Sequence, residues 1–207
     1  MLKKVVSIMV VALMALSMVA FAGAQPSDWA KAEIRDEYVK MFGNVKIELD
    51  YHRPITRAEF AMLAFDVYGD INGGYPYIEV KQVFQDIGTE TVDTIIPMAA
   101  ALGIVNGVSA TEFSPKAPIT REQICTMLAR ISAKLDKSYE QKLAAAKAAN
   151  VLGGYVDSQY ISDWAKDAVT FCVYTGIMKG VSETELAPYN NVSVEQAMIL
   201  CARMASK

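Results

Sequence analysis

Histidine is almost missing from this chain, with His52 the only one in 207 residues. A Ser-His-Asp or Cys-His pair would have to be built on that one imidazole, which stands beside Arg53-Pro54 in an expected loop, so nucleophilic hydrolase chemistry is not expected. Cysteine is scarce as well. Cys125, Cys172 and Cys201 stand at least 29 residues apart, which leaves no close-set metal ligands. Each lies in an apolar helical pattern and reads as a buried thiol, the alternative being one disulfide with a thiol left over. A basic excess is lacking: 20 Lys and Arg face 23 Asp and Glu, a net charge of −3. That balance argues against a nucleic-acid partner. No cofactor motif is present. Asp70-Ile71-Asn72-Gly73-Gly74 opens like a calcium loop, but Tyr75 and Lys81 stand where Gly and Glu are needed, so a turn and no metal are expected.

Long apolar runs are also few. Val5 to Phe21 is uncharged, follows Lys3-Lys4 and ends at Ala22-Gly23-Ala24. A basic start, an apolar middle and a small-x-small end predict a signal peptide over 1–24, with a retained anchor as the alternative. Cleavage would remove two lysines and take the charge to −5. No second apolar run of spanning length follows, so no stable membrane span is expected after cleavage, and the chain is expected to be secreted to the cell surface or wall.

What is abundant is repetition. Ser27-Asp28-Trp29-Ala30-Lys31 recurs letter for letter as Ser162-Asp163-Trp164-Ala165-Lys166. Twelve of the 28 positions from Gly103 to Arg130 are identical 73 residues later. Pro54-Ile55-Thr56-Arg57 returns as Pro118-Ile119-Thr120-Arg121, with Asn191-Val192-Ser193-Val194 as a degenerate third copy. The chain beyond the leader therefore divides into repeats at 25–70, 80–135 and 155–207. Residues 136–154, rich in Ala and Lys, read as a helical connector.

Each unit reads as helix, loop, helix, and the fold class is all-α. The first helix is expected to begin at Ser27 or Asp28, at Thr91, and at Ser162 or Asp163, and to run about thirteen residues. Gly103 and Gly176 suit a left-handed helix end. Phe113 and Leu186 are expected to plug their loops onto the core. The second helices open with Thr56-Arg57-Ala58-Glu59, Thr120-Arg121-Glu122-Gln123 and Ser193-Val194-Glu195-Gln196, three capping boxes. One such hairpin has too little apolar surface to stand alone, so the three must pack together, and closure with pseudo-threefold symmetry is favoured over an open array.

A helix-start Trp-Ala, a Gly-Ile-x-x-Gly loop, a Phe-x-Pro turn and an Ile-Thr-Arg-Ala-Glu helix start resemble the S-layer homology domain. Pro54-Ile55-Thr56-Arg57-Ala58-Glu59 matches in full, and Phe84-Gln85-Asp86 resembles the Phe-x-Asp opening of a repeat. The resemblance implies a helical spindle that anchors exported proteins without catalysis, binding secondary cell-wall polysaccharide, often pyruvylated, in grooves between repeats. It implies groove roles for Arg57, Arg121, Trp29 and Trp164. The copies differ: the first keeps only Met41-Phe42-Gly43 of its loop, the second has Thr91 for Trp, and the third has Val194 for Arg.

Physical chemistry divides these residues further. Thr56 and Glu59 are explained by capping alone. Arg57 and Arg121 sit at the electropositive first turn, where a cation is unfavourable by roughly 0.3–1 kcal/mol. Each either pairs with an acid of a neighbouring repeat or receives an anion at the helix N-terminus. Trp29 and Trp164 either fill core or stack on sugar. Asp163 and Asp86 read as caps or ligand acceptors, and Gly107 and Gly180 as turn glycines or places of close sugar approach. The leading reading is an anchor for an anionic glycan. The alternative is a structural scaffold with degenerate glycan sites and a surface-protein partner.

Overall fold

The computed structural model describes residues 25–44, 49–80, 84–89 and 91–207. The expected signal peptide, 1–24, lies outside the described residues. Among those described there are seven α-helices and no strand. They are α1 (Asp36–Asn44), α2 (Arg57–Asn72), α3 (Thr91–Ala101), α4 (Arg121–Leu135), α5 (Tyr139–Ala148), α6 (Lys166–Tyr174) and α7 (Val194–Ala205). The chain is all-α.

The second helix of each unit, α2, α4 and α7, begins with the capping box read from the sequence. Thr56 Oγ1 accepts from Glu59 N at 3.2 Å while Thr56 N donates to the Glu59 carboxylate at 2.8 Å. Gln123 and Gln196 do the same for Thr120 and Ser193. An amide oxygen serves as well as a carboxylate because only an acceptor is needed. These three helices all touch one another and carry the centre of the core. Phe113 and Leu186 are fully buried beneath their loops. Gly103 and Gly176 take φ of 67° and 72°, the left-handed ends that their position required. All three cysteines are buried and free.

The segments before the capped helices join the units in a ring. Ile55 N donates to Val192 O at 2.9 Å, Val192 N to Ile119 O at 3.1 Å, and Ile119 N back to Ile55 O at 3.2 Å. The same order repeats one turn on. Arg57 N donates to Ala117 O, Arg121 N to Asn190 O, and Val194 N to Arg53 O. First-turn N–H groups of a helix normally lack partners. Here the neighbouring unit supplies them, so each unit closes the helix start of the one before it.

In the second unit the first helix, α3, begins at Thr91 as expected, and the first helices of the other two units differ from the expectation. In the first unit Ser27 to Glu33 forms turns, and α1 starts only at Asp36. In the third, a 3₁₀ turn over Asp163–Ala165 precedes α6. The expected caps are engaged elsewhere. Asp28 pairs with Lys31 at 2.6 Å, and Ser27 and Ser162 are held by acids of other units. Asp163 lies within the 3₁₀ turn rather than at its cap. The connector contains α5, which packs on α6.

Candidate functional site

The expected site residues gather at the junctions between units. Arg57, only 4% exposed, projects from the first turn of α2 into the loop of the second unit. Its Nε donates to Phe113 O at 2.9 Å and its Nη2 to Asn106 O at 3.1 Å, with the guanidinium 4.7 Å from the Phe113 ring centre. Arg121, 6% exposed, repeats this one unit later. Its Nε donates to Leu186 O at 2.6 Å and its Nη2 to Lys179 O at 2.7 Å. Burial pushes both guanidinium groups below their ordinary range. The sequence reading weighed an acid partner against a docked anion. The observed partners are backbone carbonyls of the next unit, which leaves Nη1 as the nitrogen outside these bonds.

The carbonyls are presented by a strained turn. Ser114 and Ala187 adopt φ of 58° and 53°, left-handed for residues with a Cβ. A carboxylate holds each turn: Asp86 accepts from Phe113 N and Ser114 N at 2.8 and 2.7 Å, and Asp157 accepts from Leu186 N and Ala187 N. Burial pushes the Asp86 carboxyl up, but the two N–H donors and the nearby Arg57 outweigh it and hold it below the usual carboxylate range. Asp86 is thus a loop-ordering group. Asp157 was missed in the sequence because it stands 71, not 73, residues after Asp86, and the two-residue slip hides it. Gly107 and Gly180 are dictated by packing: a Cβ at either would come within 2.7 Å of two loop carbonyl oxygens.

The tryptophans face outward. Trp29 is 56% and Trp164 is 59% exposed, although the alanines that follow them, Ala30 and Ala165, are fully buried. The backbone leading into each tryptophan is held by the serine two residues earlier. Ser162 donates through N and Oγ to the two oxygens of Glu122, at 3.0 and 2.9 Å. Ser27 donates in the same way to Glu195, both at 2.9 Å. These two glutamates are themselves buried. The sequence reading overlooked them, though Glu at the position after the Arg in two copies and Ala58 in the first was the signal. Two surface clefts, one of about 550 Å³ beside α5 and α6 and one of about 400 Å³ between α4 and α7, are lined by none of the predicted site residues. The tryptophan rings stand apart from both.

The geometry is that of interlocked repeats, and the comparisons agree. The S-layer homology domain model matches residues 96–125 and 160–198. Over these two stretches the chain is similar to the S-layer homology domain. The matched stretches take in Arg121, Glu122, Ser162, Trp164 and Glu195, most of the two junctions just described. An endoglucanase of Bacillus sp. (strain KSM-635) is 26% identical over 186 residues. That alignment covers 86% of this chain and 18% of the relative, so the chain spans under a fifth of the endoglucanase's length. S-layer homology domains are non-catalytic modules that anchor proteins at the bacterial cell wall. Among the described residues no helix is long and apolar enough to cross a membrane.

Proposed function

We propose that this chain is exported and holds itself at the cell wall by binding an anionic secondary wall polysaccharide along its repeat junctions. The observation that carries the reading is the pair of exposed tryptophans, Trp29 and Trp164, at equivalent places in two units. An exposed indole offers a flat face for a sugar with an N–H beside it, and here it recurs at the same place in two units. The Ser–Glu contact behind each ring fixes its backbone before any ligand arrives, which lowers the ordering cost of binding. Arg57 and Arg121 serve this reading by bracing the loops that frame the junctions, with Nη1 the group left to face an acidic substituent. Asp86, Gly107 and Gly180 shape the same loops, and Asp163 stands exposed beside Trp164.

The reading is tested by binding purified 25–207 to isolated wall sacculi before and after chemical removal of the attached polysaccharide. Retention that disappears with the polymer is expected. Undiminished retention on stripped sacculi would instead favour a protein or peptidoglycan partner.

A further inference from the structure

Two of the three cysteines meet inside the core. Cys125 on α4 and Cys172 on α6 are both buried, and these helices pack on each other across the junction of the second and third units. The Cys172 thiol donates to the backbone oxygen of Cys125 at 3.7 Å, and the Cys125 thiol donates to Met178 Sδ at 3.4 Å. The adjacent Cys125 thiol, together with burial, pushes the Cys172 thiol well above its ordinary range. Cys201 lies elsewhere, on α7 near Tyr38 and Asp66. The repeat register sets the pair apart. Cys125 corresponds to Ala61, 64 residues earlier, and Cys172 to Ala99, 73 residues earlier. Those alanines are fully buried in α2 and α3, which also pack on each other. The fold therefore needs only a small side chain at either place. One helix pair has alanine at both positions and the other has cysteine at both, a joint change that core filling alone does not require.

We propose that Cys125 and Cys172 join in a disulfide when the chain folds in oxidising surroundings, tying α4 of the second unit to α6 of the third and leaving Cys201 as the free thiol. The oxidant is a small-molecule or protein disulfide. One thiolate attacks it, giving a mixed disulfide and one released thiol, and the second cysteine then displaces the other half as a thiol. Two electrons and two protons pass to the oxidant, and one S–S bond forms in the chain for the one broken in the oxidant. Burial and a raised thiol value slow this exchange in the finished core, so the bridge forms before the helices close. Once they have closed, the same burial shields it from reductant. The bridge joins residues 47 apart, with α5 between them, and closing a loop of that length restricts the unfolded chain. Its place is one helical turn beyond Glu122, whose contact with Ser162 joins the same two units. Glycan binding is not required for this bridge, which lies inside the core.

The experiment unfolds the purified chain in urea and refolds it with oxidised and reduced glutathione, or with dithiothreitol alone. Thiols are then counted with a maleimide in urea, and linked peptides are mapped by mass spectrometry. After oxidative refolding one of the three thiols should react, and Cys125 should be found joined to Cys172. The bridged chain should melt about 5 °C or more above the reduced one. Cys201→Ala should keep both the bridge and the shift, with no thiol left to count. Cys172→Ala, which places there the residue type of Ala99, should fold and show neither bridge nor shift. Three reactive thiols, glutathione adducts in place of the bridge, or a bridge that includes Cys201 would overturn the inference. So would a bridge that forms but lowers the thermal midpoint, because the native helices would then have to move to accept it.

Discussion

The junction between the second and third units and the junction between the first and second are descended from one pattern and have kept different halves of it. The former holds a buried Arg121 on two loop carbonyls, a Glu122–Ser162 contact and an exposed Trp164. The latter keeps the arginine, as Arg57, but has Ala58 for the glutamate, with Thr89 and Thr91 for the serine and tryptophan. The remaining junction is the converse, with Val194 for arginine yet Glu195, Ser27 and Trp29 all present. Serine, glutamate and tryptophan are kept or lost together, while the arginine varies independently. The arginine braces a loop within the ring, and the other three form a separate device that carries the ring face.

The largest effect should come from breaking the brace. Arg121→Ala leaves Leu186 O and Lys179 O without their donor in a buried setting, and should cost about 3–4 kcal/mol in urea unfolding. Arg57→Ala should cost a similar amount, because it strands Phe113 O and Asn106 O in the same way. If either loss came out below about 1 kcal/mol, the carbonyl bonds would not be what holds the loops. Next in size is the serine contact. Glu122→Ala removes the acceptor of both Ser162 donors and should cost about 2 kcal/mol, with Ser162→Ala costing about half as much because the backbone N–H bond survives. Ala58→Glu should not stabilise the first-to-second junction, since Thr89, at the serine's place, is exposed and a carboxylate at the buried Ala58 position would be unpaired. A gain there would show that Thr89 can turn in and donate as Ser27 and Ser162 do.

The repeat pattern, the three capping boxes and the plugs at Phe113 and Leu186 were legible because each is a local rule, readable within one copy. The direction in which Arg57 and Arg121 point was not. Helix-dipole reasoning treats the first turn as open to solvent, whereas here a neighbouring loop covers it and offers carbonyls. The start of the first helix in the first and third units differs for a related reason: Ser27 and Ser162 are good caps in isolation, and a buried glutamate 168 or 40 residues away competes for them. Long-range partners of that kind leave no periodic trace. Only the joint absence of Glu, Ser and Trp from one copy hinted at them.

Trp164→Ala separates ligand from fold. An exposed side chain whose backbone is fixed elsewhere should change stability by no more than about 0.5 kcal/mol. Sacculus binding should nevertheless fall strongly, and Trp29→Ala should act alike at its own junction. Loss of both binding and stability would make the ring part of the core. Thr91→Trp, in the first-to-second junction, should add no binding without the Ser–Glu contact behind it.

The smallest effect is the acid response of the junction of the third and first units, where Arg203 Nε and Nη2 donate to the two oxygens of Glu33, both at 2.6 Å. The Arg203 hydrogen bonds hold the Glu33 carboxyl below its ordinary value near 4.5, with partial burial opposing them. A depressed folded-state value means that the fork stabilises fully above the unfolded value and loses that contribution as pH falls through the lower, folded one. Glu33→Gln should therefore lower the thermal midpoint at pH 7, and its difference from wild type should shrink as the buffer is taken from pH 5 toward 3. The Glu33 side chain is 38% exposed, so solvent screening limits the effect to under about 1 kcal/mol. A pH-independent difference for Glu33→Gln would mean that the residue acts by packing rather than charge.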